Sequence, residues 1–442
     1  MSKNKSKAQQ LKSIKTRRKI LTVIEAVIAV CFLICAVIYF VPSMRTAAIE
    51  VLADTAVGKS LVNFFGKETF DNTVYDQSFN AEEIQMNEME YNYSSEYTNF
   101  VMFGIDSRTS QFDEGTNSDS ILIVSVHNTT GEVKMVSIYR DTFLRIYDSD
   151  GTYHYSKINN AYAVGGAEGA INTINRNLDL QITDYVTVNF SGVAKIIDAL
   201  GGIEVNLTEA EVSQLNKHLK STISTTGEYA PGISAAGENI HLNGIQATTY
   251  CRIRKATFYD PETGDAISND FGRAARQRSV IMKLVEKAKK AGVAELTEMM
   301  NTVLNQNTEE EKIIKTSFTL DEMVDMLPIV FKFSLEGSQG FPRKLSTGTI
   351  NGVSYVMAKG HSRNVSILHK FLYGEEDYAP TDTVEEIDSD IIGQTGVGED
   401  GSDDNVDDTV LKNHTSATPE TQEAETPTSN FDYDDKGKSE YY

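Results

Sequence analysis

Two carboxylates and two arginines stand close together in residues 99–142, each at the end of an apolar run. Asp106 closes the run NFVMFGI, and Arg108 lies two residues beyond it. Asp119 precedes SILIVSV, and Arg140 with Asp141 follows VKMVSIY. The Val, Ile, Met and Phe content of these runs predicts three strands, the last two joined by the turn Asn128-Thr129-Thr130-Gly131. Loops at strand ends commonly hold the working residues of α/β folds, so these side chains are expected to meet at one sheet edge. The chemistry such a set suits is a cation-bound phosphate. Carboxylates take a hard divalent cation, and guanidinium forks grip phosphate oxygens in pairs.

A second cluster, RIRKATFYDPETGDAISNDFGRAARQR at 252–278, supplies Arg252, Arg254, Asp270, Arg273, Arg276, Gln277 and Arg278. Arg273, Arg276 and Gln277 have i, i+3, i+4 spacing, which predicts one shared helix face. A solvated basic face would read the same way. This stretch, however, favours arginine over lysine, and arginine gives the bidentate phosphate contact that lysine does not.

The elements that must position these residues alternate between strand and helix. After the opening strands, KINNAYA at 157–163 and Gly165-Gly166 lead into a helix reaching Leu178. Residues 183–190 read as a strand, 191–200 as a helix, and Gly201-Gly202 as a turn into a strand at 203–207. Residues 208–242 are polar and loop-like. Helices are expected at 243–255, 270–291, 294–304 and 320–333, with a hairpin at 345–357 around Asn351-Gly352. This alternation predicts an α/β fold with a mixed central sheet covered on both faces.

The ends of the chain have a different composition. Residues 1–19 carry eight Lys/Arg and no acid, and 20–41 is an apolar run broken only by Thr22 and Glu25. That length spans a bilayer, and the basic flank keeps the N-terminus cytoplasmic. The expectation is a single-pass signal anchor at the cell membrane, an extracellular stalk at 42–97 and an extracellular catalytic domain at 98–374. Of the net charge of −22, residues 375–442 carry 21 acids against 3 bases, and this stretch reads as an acidic disordered tail. Nucleic acid is not an expected partner. Cys31 and Cys35 lie in the apolar run, which leaves Cys251 alone outside it, and the scattered histidines give no zinc spacing. ADTAVGKS at 53–60 lacks the first glycine of a phosphate-binding P-loop and is rejected as one.

Seven ordered pieces together resemble the LytR-CpsA-Psr cell-wall ligases of Gram-positive bacteria. They are GIDSR at 104–108, SDSILIV at 118–124, SIYRDT at 137–142, KINNAYAVGG at 157–166, NFSGVAKIIDALGGIEV at 189–205, LNGIQATTYCRIRK at 242–255 and NDFGRAARQRSVI at 269–281. The resemblance implies a three-layer α/β/α sandwich with a hydrophobic pocket for a lipid tail. It implies transfer of a phosphoglycosyl polymer (teichoic acid, capsule or related glycan) from polyprenyl pyrophosphate to the 6-hydroxyl of N-acetylmuramic acid in peptidoglycan. Asp106 and Asp119 would bind Mg²⁺, with Mn²⁺ as a substitute. Arg140, Arg252, Arg254, Arg273, Arg276 and Gln277 would hold or organise the pyrophosphate, with Arg108 and Lys157 at further motif positions. Arg140, Asp141 and Asp270 are the catalytic candidates, and either carboxylate would serve as base. The chain departs from the family at Phe190-Ser191-Gly192, where an acid often precedes the glycine. Two other readings use the same site: a polyprenyl-pyrophosphate hydrolase, and a non-enzymatic envelope binder or regulator. The two carboxylates argue against a pure binder, and an apolar tunnel is expected to end at Arg252, Arg254 and Arg276.

Overall fold

The computed structural model describes residues 70–106, 112, 115–148, 151–260, 264–291, 299, 302–303, 305–308, 311–323, 326 and 332–398. Arg108, the apolar run at 20–41 and everything from 399 onward lie outside them, as does most of the two helices expected at 294–304 and 320–333.

Strands β1 (Tyr97–Ile105), β2 (Ser118–His127) and β3 (Glu132–Ile138) come first, then a hairpin of β4 (Phe143–Tyr147) and β5 (Tyr153–Lys157). Helix α1 (Asn160–Leu178), strand β6 (Asp184–Asn189) and helix α2 (Phe190–Ala199) follow. Next are β7 (Ile203–Leu207), α3 (Glu209–Thr226), β8 (Gly237–Leu242) and α4 (Gly244–Tyr250). Short strands β9 (Phe258–Tyr259) and β10 (Ala266–Ile267) precede the long α5 (Asn269–Lys290). The chain continues through β11 (Ile314–Thr316), β12 (Ser334–Phe341), the hairpin β13 (Leu345–Ile350) and β14 (Val353–Ala358), then α6 (His361–Tyr373) and α7 (Asp382–Thr395).

The main sheet has the order β11-β6-β1-β2-β3-β12. β1 pairs antiparallel with β2 and parallel with β6, and β12 pairs parallel with β3, so the sheet is mixed as expected. Alternation along β1 sends Val101, Phe103 and Ile105 to one face, where they join Ile171 and Ile174 of α1, Leu368 of α6 and Ile387 of α7. Phe100 and Met102 point the other way, with Leu122 and Val124, against Ile281 and Met282 of α5. Each of these side chains that is fully buried contributes about 1.5–3 kcal/mol by leaving water. Helices on both faces give three layers.

The pairing also brings ends together. Ile105 at the end of β1 lies opposite Ser118 at the start of β2 and beside Asn189 at the end of β6. Ile138 at the end of β3 faces Ile121 and neighbours Phe341, the last residue of β12. Asp106, Asp119, Arg140 and Phe190 therefore share one edge of the sheet. This is the convergence that the strand-end acids and arginines predicted.

Three expectations need correction. Residues 208–242 are not a loop. Thr208 and Glu211 form a reciprocal capping box that starts α3, and Val212, Leu215 and Leu219 repeat at helical spacing into the interior. The stalk does not extend to residue 97. Phe70 and Val74 are buried, and Asp76 accepts a hydrogen bond from the Tyr185 hydroxyl at 2.5 Å. The chain is not disordered from 375. Helix α7 buries Val384, Ile387 and Ile391 in the main core, and two of its acids hold Arg145. The buried carboxylate of Asp179, at the end of α1, binds both of these stretches. It accepts from Asn87 Nδ2 at 2.7 Å and from the Thr381 backbone N–H at 2.8 Å. Composition hid this packing because the apolar residues of α7 are few and spaced among acids.

Candidate functional site

Helix α5 lies across the sheet edge and joins the two sequence clusters. Its residues Asp270, Arg273 and Gln277 recur at i, i+3 and i+7 and face the start of β2. Arg273 Nη2 donates to the backbone carbonyl of Asp119 at 3.1 Å and to Asp270 Oδ2 at 2.9 Å. The Ser120 hydroxyl donates to Gln277 Oε1 at 2.9 Å, and Gln277 Nε2 donates to the Cys251 carbonyl at 3.4 Å. The close approach of β1 and β2 here depends on Gly104, where a Cβ would come within 3.1 Å of Ser120 Cβ.

Asp270 is the hub of the arginines. Arg254 Nε lies 3.4 Å from one of its oxygens, and Arg140 Nε lies 3.9 Å from the other. Arg140 also pairs with Asp119 and lies 3.8 Å from Asp141, whose other oxygen accepts from Lys157 Nζ at 2.8 Å. Burial works against the charge of Arg140, but Asp119, Asp270 and Asp141 together hold its pKa above the usual value. Arg273 is pulled down to about 10, first by burial and then by Arg140 and Arg254, with Asp270 opposing. It remains charged at neutral pH.

Arg276 has a different role. It is fully buried, facing away from the cleft, and its Nη2 and Nε donate to Glu211 Oε1 at 2.8 and 3.0 Å. Its remaining donors reach the Ile253 and Ala256 carbonyls. The expectation that Arg273, Arg276 and Gln277 share one working face fails because i+3 advances 300° around the helix, and the stripe divides between cleft and core. Arg276 shapes the 253–256 segment from behind. Arg278 is likewise buried, with Nε donating to Ser338 Oγ at 3.2 Å.

The cleft beside these residues has a volume of about 450 Å³, and its walls include Asp106, Asp119, Arg252, Arg254, Arg273 and Gln277. An apolar cavity of about 270 Å³ adjoins it, lined by Met102, Leu122, Val193, Ile196, Ile281 and Leu284 among others. Asp119, Phe190, Cys251, Arg252 and Gln277 line both spaces. Arg252 stands at the junction, its guanidinium 4.6 Å from the centre of the Phe190 ring and its Nη1 donating to Thr222 Oγ1 at 2.9 Å. The expected apolar space thus lies next to Arg252, whereas Arg254 lines only the polar cleft and Arg276 lines neither. Val193 and Ile196 of α2 and Val280, Ile281, Leu284 and Val285 of α5 line it, whereas Ala161, Tyr162, Ile171, Ile174 and Leu178 pack into the core on the other face of the sheet.

The departure at Phe190-Ser191-Gly192 does not cost α2 its start. Asn189 Oδ1 accepts from the Gly192 N–H at 2.9 Å and caps the helix. Gly192 itself is needed, since a Cβ there would lie 2.1 Å from the Ile313 carbonyl oxygen.

Asp106 and Asp119 both line the cleft and offer carboxylate oxygens of the kind a hard cation takes, although Asp119 is also paired with Arg140. Asp106 Oδ1 is shut from solvent with no hydrogen-bond partner among the described residues, an arrangement that leaves a buried acceptor a metal ion could satisfy. The described residues gather no set of three or more His, Cys, Asp or Glu around a metal position. A cation between these two acids would therefore complete its shell with phosphate oxygens and water, as Mg²⁺ commonly does.

The sequence reading missed one wall of the cleft. Gln214, Lys217 and His218 of α3, together with Lys255, also line it. The Thr208-x-x-Glu211 capping signature and the i, i+3, i+4 spacing of these three residues were the available signals.

A mixed α/β/α sheet, with a pocket cationic at one end and apolar at the other, defines the class of domain. The model of the LytR_cpsA_psr family matches residues 63–364, and the chain belongs to that family. It is 33% identical over 245 residues to the polyisoprenyl-teichoic acid–peptidoglycan teichoic acid transferase TagU of Bacillus cereus, covering 55% of this chain and 68% of that one. It is 37% identical over 196 residues to Biofilm regulatory protein A of Streptococcus mutans, covering 42% and 43%. The chain thus spans about two thirds or less of these curated relatives. A solved structure of a Streptococcus agalactiae protein shares the fold, with a TM-score of 0.50 and 23% identity over 67% of this chain and 93% of that one.

Proposed function

We propose that this protein is a glycopolymer transferase that moves a phosphoglycosyl polymer from polyprenyl pyrophosphate to the 6-hydroxyl of peptidoglycan N-acetylmuramic acid. One observation carries the reading: the arginine cleft and the apolar cavity share a wall at Phe190 and Arg252. A ligand with a charged head and a hydrocarbon tail fits across such a junction, because each part meets its own kind of surface. A second apolar cavity, of about 200 Å³, shares Ile196 with the first and is bounded by Phe70 and Val74, which gives a long tail a path towards the N-terminal stretch.

In this reading Arg252 and Arg254 grip the pyrophosphate, and Arg140 and Arg273 stabilise charge that develops on its oxygens. Asp141 and Asp270 orient these cations. The acceptor hydroxyl attacks the glycan-bearing phosphorus, the bond to the bridging oxygen breaks, and polyprenyl phosphate leaves. The hydroxyl proton passes to a carboxylate at the sheet edge, where Asp141 and Asp270 both stand. Asp106 and Asp119 would hold Mg²⁺ or Mn²⁺, which would supply Lewis-acid neutralisation of phosphate charge. The phosphoanhydride provides the driving force, so no nucleotide is required. We further propose that residues 20–41 anchor the chain in the cell membrane, with this domain on the outer side where peptidoglycan lies.

The test combines purified protein, a lipid-pyrophosphate donor and peptidoglycan, with Mg²⁺ varied. Polymer attached to peptidoglycan supports transfer. Release of polyprenyl phosphate at the same rate without peptidoglycan supports hydrolysis instead, and lipid binding without turnover supports a binder.

A further inference from the structure

The wall of the cleft formed by α3 carries charge that the pyrophosphate grip does not use. The lining holds five fixed cations, Lys217, Arg252, Arg254, Lys255 and Arg273, against two carboxylates, Asp106 and Asp119. Arg254 and Arg273 are tied to Asp270, and Arg252 is placed by Thr222 and Phe190. Lys217 and Lys255 are exposed, and among the described residues neither has a carboxylate or hydrogen-bond partner. His218 lines the same cleft, and its pKa is lowered first by burial and then by Arg252, Lys217, Arg254 and Lys255. It is therefore an uncharged imidazole at neutral pH, able to donate one hydrogen bond and accept another. Gln214 Oε1, one turn earlier on the same helix face, is shut from solvent without a hydrogen-bond partner among the described residues.

Like charges gathered on a cleft wall repel one another, and a bound anion relieves that cost. The pyrophosphate already has Arg252, Arg254 and Arg273, and its charge is further met by any cation between Asp106 and Asp119. Lys217 and Lys255 are surplus to it. We infer that Lys217, Lys255 and His218 form a second anion subsite, which takes a phosphodiester or carboxylate group on the glycan itself and so favours acidic over neutral polymers. This deepens the lipid-pyrophosphate reading and rests on it. The lysines supply long-range attraction as point charges, while His218 and Gln214 offer directional contacts to hydroxyls beside the anionic group.

The experiment uses the full chain in lipid nanodiscs and four probes: a short glycerol-phosphate oligomer, a short oligogalacturonate, a maltodextrin of matching length, and farnesyl pyrophosphate. Binding is measured for wild type, for the double variant K217Q/K255Q, and for K220Q, which alters an exposed lysine of α3 outside the cleft lining. The expected result is that one or both acidic oligomers bind wild type and weaken about tenfold in the double variant. K220Q leaves them unchanged, and the maltodextrin does not bind. Which acidic oligomer responds identifies phosphodiester or carboxylate as the source of the anion. Acidic oligomers that bind the double variant as tightly as wild type, or that weaken equally in K220Q, overturn the subsite. Farnesyl pyrophosphate is expected to bind wild type and the double variant alike. Its failure to bind wild type removes the lipid-pyrophosphate reading, a result distinct from any obtained with the oligomers.

Discussion

Arg145 on β4 donates from Nη2 to Asp390 Oδ2 on α7 at 2.6 Å, a contact that links residues 245 positions apart. The guanidinium is 3% exposed and also reaches Glu386 at 2.8 Å and the Tyr155 hydroxyl at 3.0 Å. Ending the chain after Gly374 would remove Glu386 and Asp390, the carboxylates that hold Arg145, and would uncover the core surface on which Val384, Ile387 and Ile391 pack. The loss is expected to reach several kcal/mol, since Val384, Ile387 and Ile391 are all fully buried and burying one such side chain is worth about 1.5–3 kcal/mol. A chain ended after Gly398 should melt like the full chain. Equal melting temperatures for the two truncations would show that α7 contributes nothing.

Acid should weaken the fold through two histidines. His361 and His369 are buried, and their Nε2 atoms donate to the carbonyls of Asn177 and Leu178, consecutive residues at the end of α1. Burial holds both at about 4, below the unfolded value of 6.5, with the carbonyl hydrogen bonds and Asp179 opposing. Between those values the unfolded chain binds protons that the folded one refuses, so stability rises with pH. The contribution is complete above about pH 6.5 and is lost as pH falls towards 4, on the order of 3 kcal/mol per histidine. Chemical denaturation at pH 7 and pH 5 should show the slope, and H361Q/H369Q should flatten it. An unchanged slope in that variant would assign acid lability to other groups.

Arg276 and Arg254 should separate stability from activity. R276M leaves the buried Glu211 carboxylate uncompensated and should cost about 3–5 kcal/mol in urea unfolding. R254Q removes a half-exposed side chain and should leave the unfolding midpoint near wild type while transfer falls about 100-fold. If R276M is as stable as wild type and only slow, Arg276 belongs to the pyrophosphate grip after all.

D106N and D119N should each abolish Mg²⁺ binding in calorimetry while leaving a cooperative melt. D119N also frees Arg140, so its loss of transfer should be at least as large as that of D106N. Wild-type Mg²⁺ affinity in both variants would remove the metal assignment.

L284W fills the apolar cavity without touching the arginines. Octaprenyl pyrophosphate should bind about tenfold or more weakly, while inorganic pyrophosphate binds as before. Parallel loss of both ligands would mean that the tail does not enter this cavity.

The strand ends are readable from sequence because each acid or arginine adjoins an apolar run of strand length, and sheet register brings such ends together. The helix that gathers them was also visible, but its inward and outward arginines were not told apart. Arg273 and Arg276 have the same chemistry, and only Glu211, 65 residues earlier, makes one of them structural. Glu211 lies in a polar segment whose composition suggests a loop, and only its cap and the apolar spacing after it mark the helix. The packing of 70–97 and of α7 rests on Asp179, a residue whose partners come from both ends of the chain. Composition has no means of reporting such a pairing.

The pairing of β12 with β3 places Ser334 opposite Glu132 and Phe341 opposite Ile138. During synthesis about two hundred residues must therefore emerge after β3 before its outer edge is covered. Throughout that interval β3 offers unpaired N–H and C=O groups to any passing strand, and the late, non-local closure makes folding slow. The nascent domain thus has a window of vulnerability fixed by topology, and chains interrupted before residue 341 should aggregate instead of remaining as partly active fragments.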